Sequence, residues 1–126
     1  MQTKKVGTLT SLVCKLLNIH SEANKPILIG EQNIRHIKEK HPDDYFYYGH
    51  MLEEIRRIPD YVGIAPKNKS ISYIKEVSIT PDRIINIAVR MSTNGTYFVR
   101  SFYNINIAKI NNGLEKGTVF KLTHKK

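Results

Sequence analysis

Residues 36–41 read His-Ile-Lys-Glu-Lys-His. Two imidazoles flanking lysines are well suited to moving protons near neutral pH. The stretch closes a helical pattern over 31–41, and Pro42 forbids its continuation. Ile34 and Ile37 make an apolar stripe, and the position one turn further along it is His41. His36 and Lys40 share a neighbouring face, with Asn33 beside them. A histidine in the last turn meets the negative end of the helix dipole, which favours its protonated form. The plain alternative is a basic helix end capped by a histidine, and this stretch alone favours that alternative. The remainder of the chain shifts the balance.

The 126 residues read as one domain, 1–126, with a helical part at about 1–59 and a β-meander at about 60–123. Hydrophobic residues at 40% suffice for one sizeable core. The formal charge of +9 draws polyanions, nucleic acid first and an anionic membrane surface second. The single cysteine, Cys14, excludes an intramolecular disulfide. It falls among Leu12, Val13, Leu16 and Leu17 and reads as core. Lys4 and Lys5 begin a weak likeness to a secretory leader, but Lys15 interrupts the apolar run and no cleavage pattern follows. No run is long enough to span a bilayer.

Val6, Leu9, Val13 and Leu16 recur at helical spacing and predict a first helix over 8–17, with Thr8 as its cap. Residues 27–29 form a short apolar run before the 31–41 helix. Pro42-Asp43-Asp44 opens a further helix with the stripe Tyr48, Leu52 and Ile55, ended by Pro59. The period then changes to alternation. Strands are predicted over 61–65, 71–79, 84–92 and 97–105, with a short last one over 118–122. Turns fall at 66–69, 80–83, 93–96 and 111–113, and Asn94-Gly95 is the strongest hairpin signal. The fold class is α+β: N-terminal helices packed on one face of an antiparallel meander of four or more strands.

A symmetric turn at Asn94-Gly95 sets Ser92 against Tyr97, Arg90 against Val99, Ala88 against Ser101 and Asn86 against Tyr103. Ile85, Ile87, Val89, Met91, Phe98 and Phe102 then form the core face. A turn at Pro81-Asp82 sets Lys75 against Ala88 and Tyr73 against Arg90. One sheet face therefore carries Tyr73, Lys75, Asn86, Arg90, Ser92, Tyr97, Ser101 and Tyr103. Cations there neutralise phosphates and tyrosine rings stack on bases. The competing reading is a solvated sheet face with β-favouring tyrosines. Arg100 falls on the apolar side of this register; it either snorkels from an edge or is re-aimed by a bulge.

His36-Ile-Lys-Glu-Lys-His41, Ser72-Tyr73-Ile74-Lys75-Glu76, Val89-Arg90-Met91-Ser92 and Arg100-Ser101-Phe102-Tyr103 follow one another in an order and spacing that resembles a known family. It is the phage-associated branch of the barnase–EndoU–colicin–RelE nuclease superfamily, with the likeness spanning about 27–107. The resemblance implies helices before a meandering antiparallel sheet and metal-independent ribonuclease activity. Many such domains are toxins, some at the C-termini of contact-dependent growth inhibition proteins, and others are carried by phage structural proteins.

On that resemblance the expected activity is an endoribonuclease attacking RNA, tRNA included, through the RNA's own 2′-hydroxyl to leave a 2′,3′-cyclic phosphate. That reaction needs a base, an acid and cations for the phosphorane. His41 is the candidate base or acid, Arg90 and Lys75 the phosphate clamps, Ser92 a hydrogen-bond donor, and Tyr103 a proton donor or ribose contact. His36 is the reserve acid–base residue. Tyr73, Tyr97, Ser101 and Arg100 complete the expected substrate contacts. No cofactor is expected, and no carboxylate pattern supports a metal at His36, His41 and His50. His20, His50 and His124 read as surface residues. Expected partners are RNA and an acidic immunity or antitoxin protein. The expected site of action is a bacterial cytoplasm, with the chain delivered as the C-terminal part of a larger secreted protein. A non-catalytic nucleic-acid-binding module and a phage structural interaction domain are the alternatives.

Overall fold

The first described residues form a strand where helical spacing predicted the approach to a helix. The computed structural model describes residues 3–19, 22–65, 67–77, 84–92 and 95–122. Strand β1 (Thr3–Thr8) pairs antiparallel with β2 (Pro26–Gly30), and a register shift between Lys5 and Gly7 breaks its alternation. That irregularity is why Val6 and Leu9 mimic a helical stripe. Helix α1 (Ser11–Leu17) starts later than expected. Thr10, not Thr8, caps it by accepting from the Val13 N–H, and Asn18 ends it in the left-handed region. The Arg56 guanidinium donates to the Val6 and Thr8 carbonyls and occupies the space a side chain at Gly7 would need.

Helix α2 (Glu31–Lys40) follows β2 directly, and α3 (Pro42–Tyr48) follows α2. His41 lies just beyond the helix rather than inside its last turn, and it caps both elements. The single helix expected after Pro42 is broken: a 3₁₀ turn (Gly49–Met51) separates α3 from α4 (Leu52–Arg57).

Strands β3 (Tyr61–Ile64), β4 (Ile71–Glu76), β5 (Ile84–Met91) and β6 (Tyr97–Ile105) form an antiparallel run. It is the middle of a larger mixed sheet of seven strands among the described residues, ordered β1-β2-β6-β5-β4-β3-β7. The join to the N-terminal strands is parallel and brief, Ile27 to Tyr97 and Leu28 to Phe98. Strand β7 (Val119–Lys121) closes the other edge against β3.

The expected turn at 111–113 is instead the interior of helix α5 (Ile107–Lys116), capped by Asn106 and by Gly117 in the left-handed region. Local turn chemistry yields here to tertiary packing. A Cβ at Gly113 would collide with the Val119 side chain, so glycine lets α5 close on β7. The helices are therefore not confined to one face. The main core joins Leu9, Val13 and Leu17 with Ile37, Ile55, Ile87, Val89 and Phe102. A second small core, Ile74, Ile84, Ile105 and Ile110, forms under α5 on the opposite face. Three isoleucines share one end of the supposedly polar face, and α5 covers them.

The β5–β6 ladder follows the predicted register from Asn86↔Tyr103 to Ala88↔Ser101. A bulge then shifts it, so that Val89 pairs with Val99, Arg90 with Phe98 and Met91 with Tyr97. The β4–β5 register differs from the expected one by an odd number of residues: Ser72 pairs with Ala88, Tyr73 with Ile87 and Lys75 with Ile85. An odd slip exchanges faces. The expected turn at Pro81-Asp82, Asn94 of the hairpin, His20 and His124 lie outside the described residues.

Candidate active site

On the face away from the main core, Ser72, Ala88 and Ser101 stand in a row across β4, β5 and β6. They floor an open cleft of about 760 Å³. Arg90 lies two residues further along β5, and Tyr103 two residues from Ser101 along β6. One wall is α2, contributing Gln32, Asn33 and His36; the other is the β3–β4 loop, contributing Ala65, Asn68 and Ser70.

Arg100 enters the cleft through the bulge. It is the extra residue between Val99, paired with Val89, and Ser101, paired with Ala88. In a regular ladder it would alternate with Ser101 and point at the core, where Val99 and Phe102 are buried. The bulge instead lets Arg100 and Ser101 line the same cleft, together with Arg90.

At the other end Tyr103 is held from two sides. Its hydroxyl is 3.0 Å from the Asn86 side-chain nitrogen, and its ring stacks on His41 with centroids 5.2 Å apart and planes 28° apart. Asn86 is 4% exposed, so its hydrogen bond is shielded from water. Next to it the Asp44 carboxylate accepts from the Asn104 backbone N–H at 2.9 Å, fastening α3 to β6. Tyr45 meets Phe102 edge-on from the core side. His41 thus reaches the site through Tyr103, whereas His36 lines the cleft itself.

The structure brings together His36, Arg90, Arg100, Ser101 and Tyr103, with His41 behind Tyr103. It does not bring the other expected residues there. Tyr73 is buried in the main core, where desolvation pushes its phenol upward. Lys75 is on the same side as Tyr73, and its ammonium donates to the Ile58 carbonyl at 3.1 Å. Tyr97 is 5% exposed, and burial together with the adjacent Glu22 carboxylate pushes it up to about 12. Ser92 lies past the end of β5, closing the hairpin through its backbone to Thr96, and does not line the cleft. The odd slip moves Tyr73 and Lys75; the bulge moves Tyr97. Gln32, Asn68, Ser70 and Ser72 enter without having been singled out. Ser72 was readable from alternation once the β4 register is known, but the loop residues carried no periodic signal.

Arginine, histidine, serine, asparagine, glutamine and tyrosine line this cleft, and no carboxylate does among the described residues. Such a surface receives anions, and two guanidiniums can each grip a pair of phosphate oxygens. No curated protein and no solved structure matches the chain. A family model described as phage-Barnase-EndoU-ColicinE5/D-RelE like nuclease3 matches residues 4–112. The match extends beyond the 27–107 likeness to take in β1 and α1. With both its order of elements and its cationic cleft on view, the chain belongs to this phage-associated barnase–EndoU–colicin–RelE-like nuclease family.

Proposed function

We propose that the sheet cleft is the active site of a metal-independent endoribonuclease. The observation that carries this is the convergence of His36, Arg90, Arg100, Ser101 and Tyr103 on one cleft that no carboxylate lines among the described residues. In the reaction the ribose 2′-oxygen attacks the adjacent phosphorus, and its proton passes to a base. The bond to the 5′-oxygen breaks, and that oxygen takes a proton from an acid. His36 supports one of these transfers and the Tyr103 hydroxyl the other. Arg90 and Arg100 stabilise the charge on the phosphorane, and Ser101 donates to a non-bridging oxygen. His41 and Asn86 orient Tyr103.

The products are a 2′,3′-cyclic phosphate and a 5′-hydroxyl. Purified protein incubated with total RNA, tRNA included, in EDTA tests the reading, with a matched DNA as control. Cleavage of RNA alone, with cyclic-phosphate ends, is expected. A requirement for a divalent ion, or equal cutting of DNA, contradicts the mechanism. A nuclease of this kind endangers its producer, so the proposal extends to toxin use in a bacterial cytoplasm after delivery within a larger secreted protein, and to an acidic immunity protein that covers the cleft. Opposite charge speeds such an encounter. Co-purification from the native operon, then an assay of the freed chain, tests that part.

A further inference from the structure

We infer that Asn33 and Asn68 make this cleft select its nucleobase by hydrogen-bond polarity, favouring the keto bases guanine and uracil over the amino bases adenine and cytosine. The inference rests on the ribonuclease reading of the same cleft. An asparagine amide has an accepting end and a donating end, and which way it points is fixed only by its partners. Here both partners are backbone N–H groups, which can only donate. The Asn33 oxygen accepts from the Gly30 N–H at 2.8 Å, and the Asn68 oxygen from the Ser70 N–H at 2.9 Å.

Both bonds also hold local structure. The first caps the start of α2. The second closes the turn that carries Lys69, at φ 60°, back into β4. Each oxygen is therefore turned to its own backbone, and the NH₂ is the end each residue has left to offer. The two residues sit on opposite walls of the cleft. Arg90 and Arg100 add further groups that only donate. The hydroxyls of Ser70, Ser72 and Ser101, the Gln32 amide and the His36 imidazole can suit either partner, so only the fixed groups impose a polarity.

A ligand matched to such a cleft carries acceptors. Phosphate oxygens qualify for any nucleotide. Among base edges, guanine presents two acceptors, O6 and N7, and the keto oxygen of uracil is an acceptor. At the ring position where guanine and uracil carry that keto oxygen, adenine and cytosine bring an exocyclic NH₂ against the fixed donors, although adenine keeps N7 as an acceptor. Two donors facing each other are both left unpaired where the bound base excludes water, which works against the wrong base rather than merely failing to favour it.

The test compares kcat/KM on short unstructured oligoribonucleotides that differ in one base beside the scissile phosphate. Wild-type protein is expected to cut next to guanine or uracil about tenfold or more faster than next to adenine or cytosine. Asn33→Asp and Asn68→Asp keep an oxygen for the same backbone N–H and replace the NH₂ with an acceptor. The ratio should then move towards adenine and cytosine, even though the added negative charge slows every substrate. A merely structural role for these residues would lower all rates and leave the ratio alone. Indifference to the base in the wild type, or an unchanged ratio in both aspartate variants, overturns the inference. If the protein cuts no RNA, the affinities of guanosine and adenosine 3′-monophosphates decide. Tighter guanosine binding that is lost in the aspartate variants keeps the inference while the catalytic reading falls; equal affinities overturn both.

Discussion

His36 and His41 leave the same helix for different company. The spacing of the apolar stripe singled out His41, because it follows Ile34 and Ile37. Ile37 is fully buried, but the chain turns at His41 before the stripe reaches it. His41 therefore stacks on Tyr103, and His36, one face over, borders the cleft. The expected order of mutational effects is accordingly reversed from the one the stripe implies. His36→Ala should cost about a hundredfold or more in kcat, the usual size of lost acid–base help. His41→Ala should cost about fivefold, because an aromatic stack of about 1 kcal/mol is one of the two contacts that hold Tyr103. Single-turnover RNA cleavage by both variants checks the order. A second residue-scale consequence concerns Tyr97. Burial, then the Glu22 charge, raise its phenol from 10.0 to about 12, so the folded state holds the proton more tightly than the unfolded state. Its contribution to stability is complete below pH 10 and is lost as pH rises towards 12. Urea denaturation across that window should show falling stability, and Tyr97→Phe should flatten part of the fall. Tyr73 and Cys14, both shifted upward by burial, add to the same fall.

At the scale of elements, the strands were legible because they alternate cleanly, and the expected β5–β6 register holds from Asn86↔Tyr103 to Ala88↔Ser101 but not for Arg90 and Tyr97. Strand β6 falls where alternation put it, Tyr97–Ile105. What alternation could not supply was the bulge at Arg100 and the odd offset between β4 and β5. Both depend on connections whose length the residues do not announce, and each moves side chains between faces. Tyr73 and Lys75 left the site for that reason, and the bulge is what keeps Arg100, an expected contact on the wrong side of the regular register, in it. Helix α5 was hidden by Asn111-Asn112-Gly113, which is turn chemistry by type but helix by context, since Gly113 is where β7 approaches. Helix α5 seals Ile74, Ile84 and Ile105 beside the Tyr103 end of the cleft. Ile110, 1% exposed, is its anchor. Ile110→Ala should destabilise the protein by about 2–5 kcal/mol, read by equilibrium denaturation. A loss under about 0.5 kcal/mol, the size typical of surface substitutions, would show that the helix is peripheral to the fold.

For the whole molecule, a charge of +9 says that polyanions approach, and the fold says where they are held. The α+β class and much of the core were readable from residues, but Met91, expected in the core, is exposed, and Tyr73 and Tyr97, expected on the polar face, are buried. The walls of the cleft were not readable, because α2 and the β3–β4 loop come to flank the sheet only through tertiary packing. Arg90 is the residue on which composition, alternation and structure agree, and it also separates catalysis from bare basicity. Single-turnover cleavage by Arg90→Ala, in protein that melts like the wild type, is therefore the most direct measurement. A fall of about a hundredfold or more is expected, the size of a lost preorganised donor at a charged transition state. Undiminished cleavage by that variant would contradict the account and move the chemistry away from this cleft.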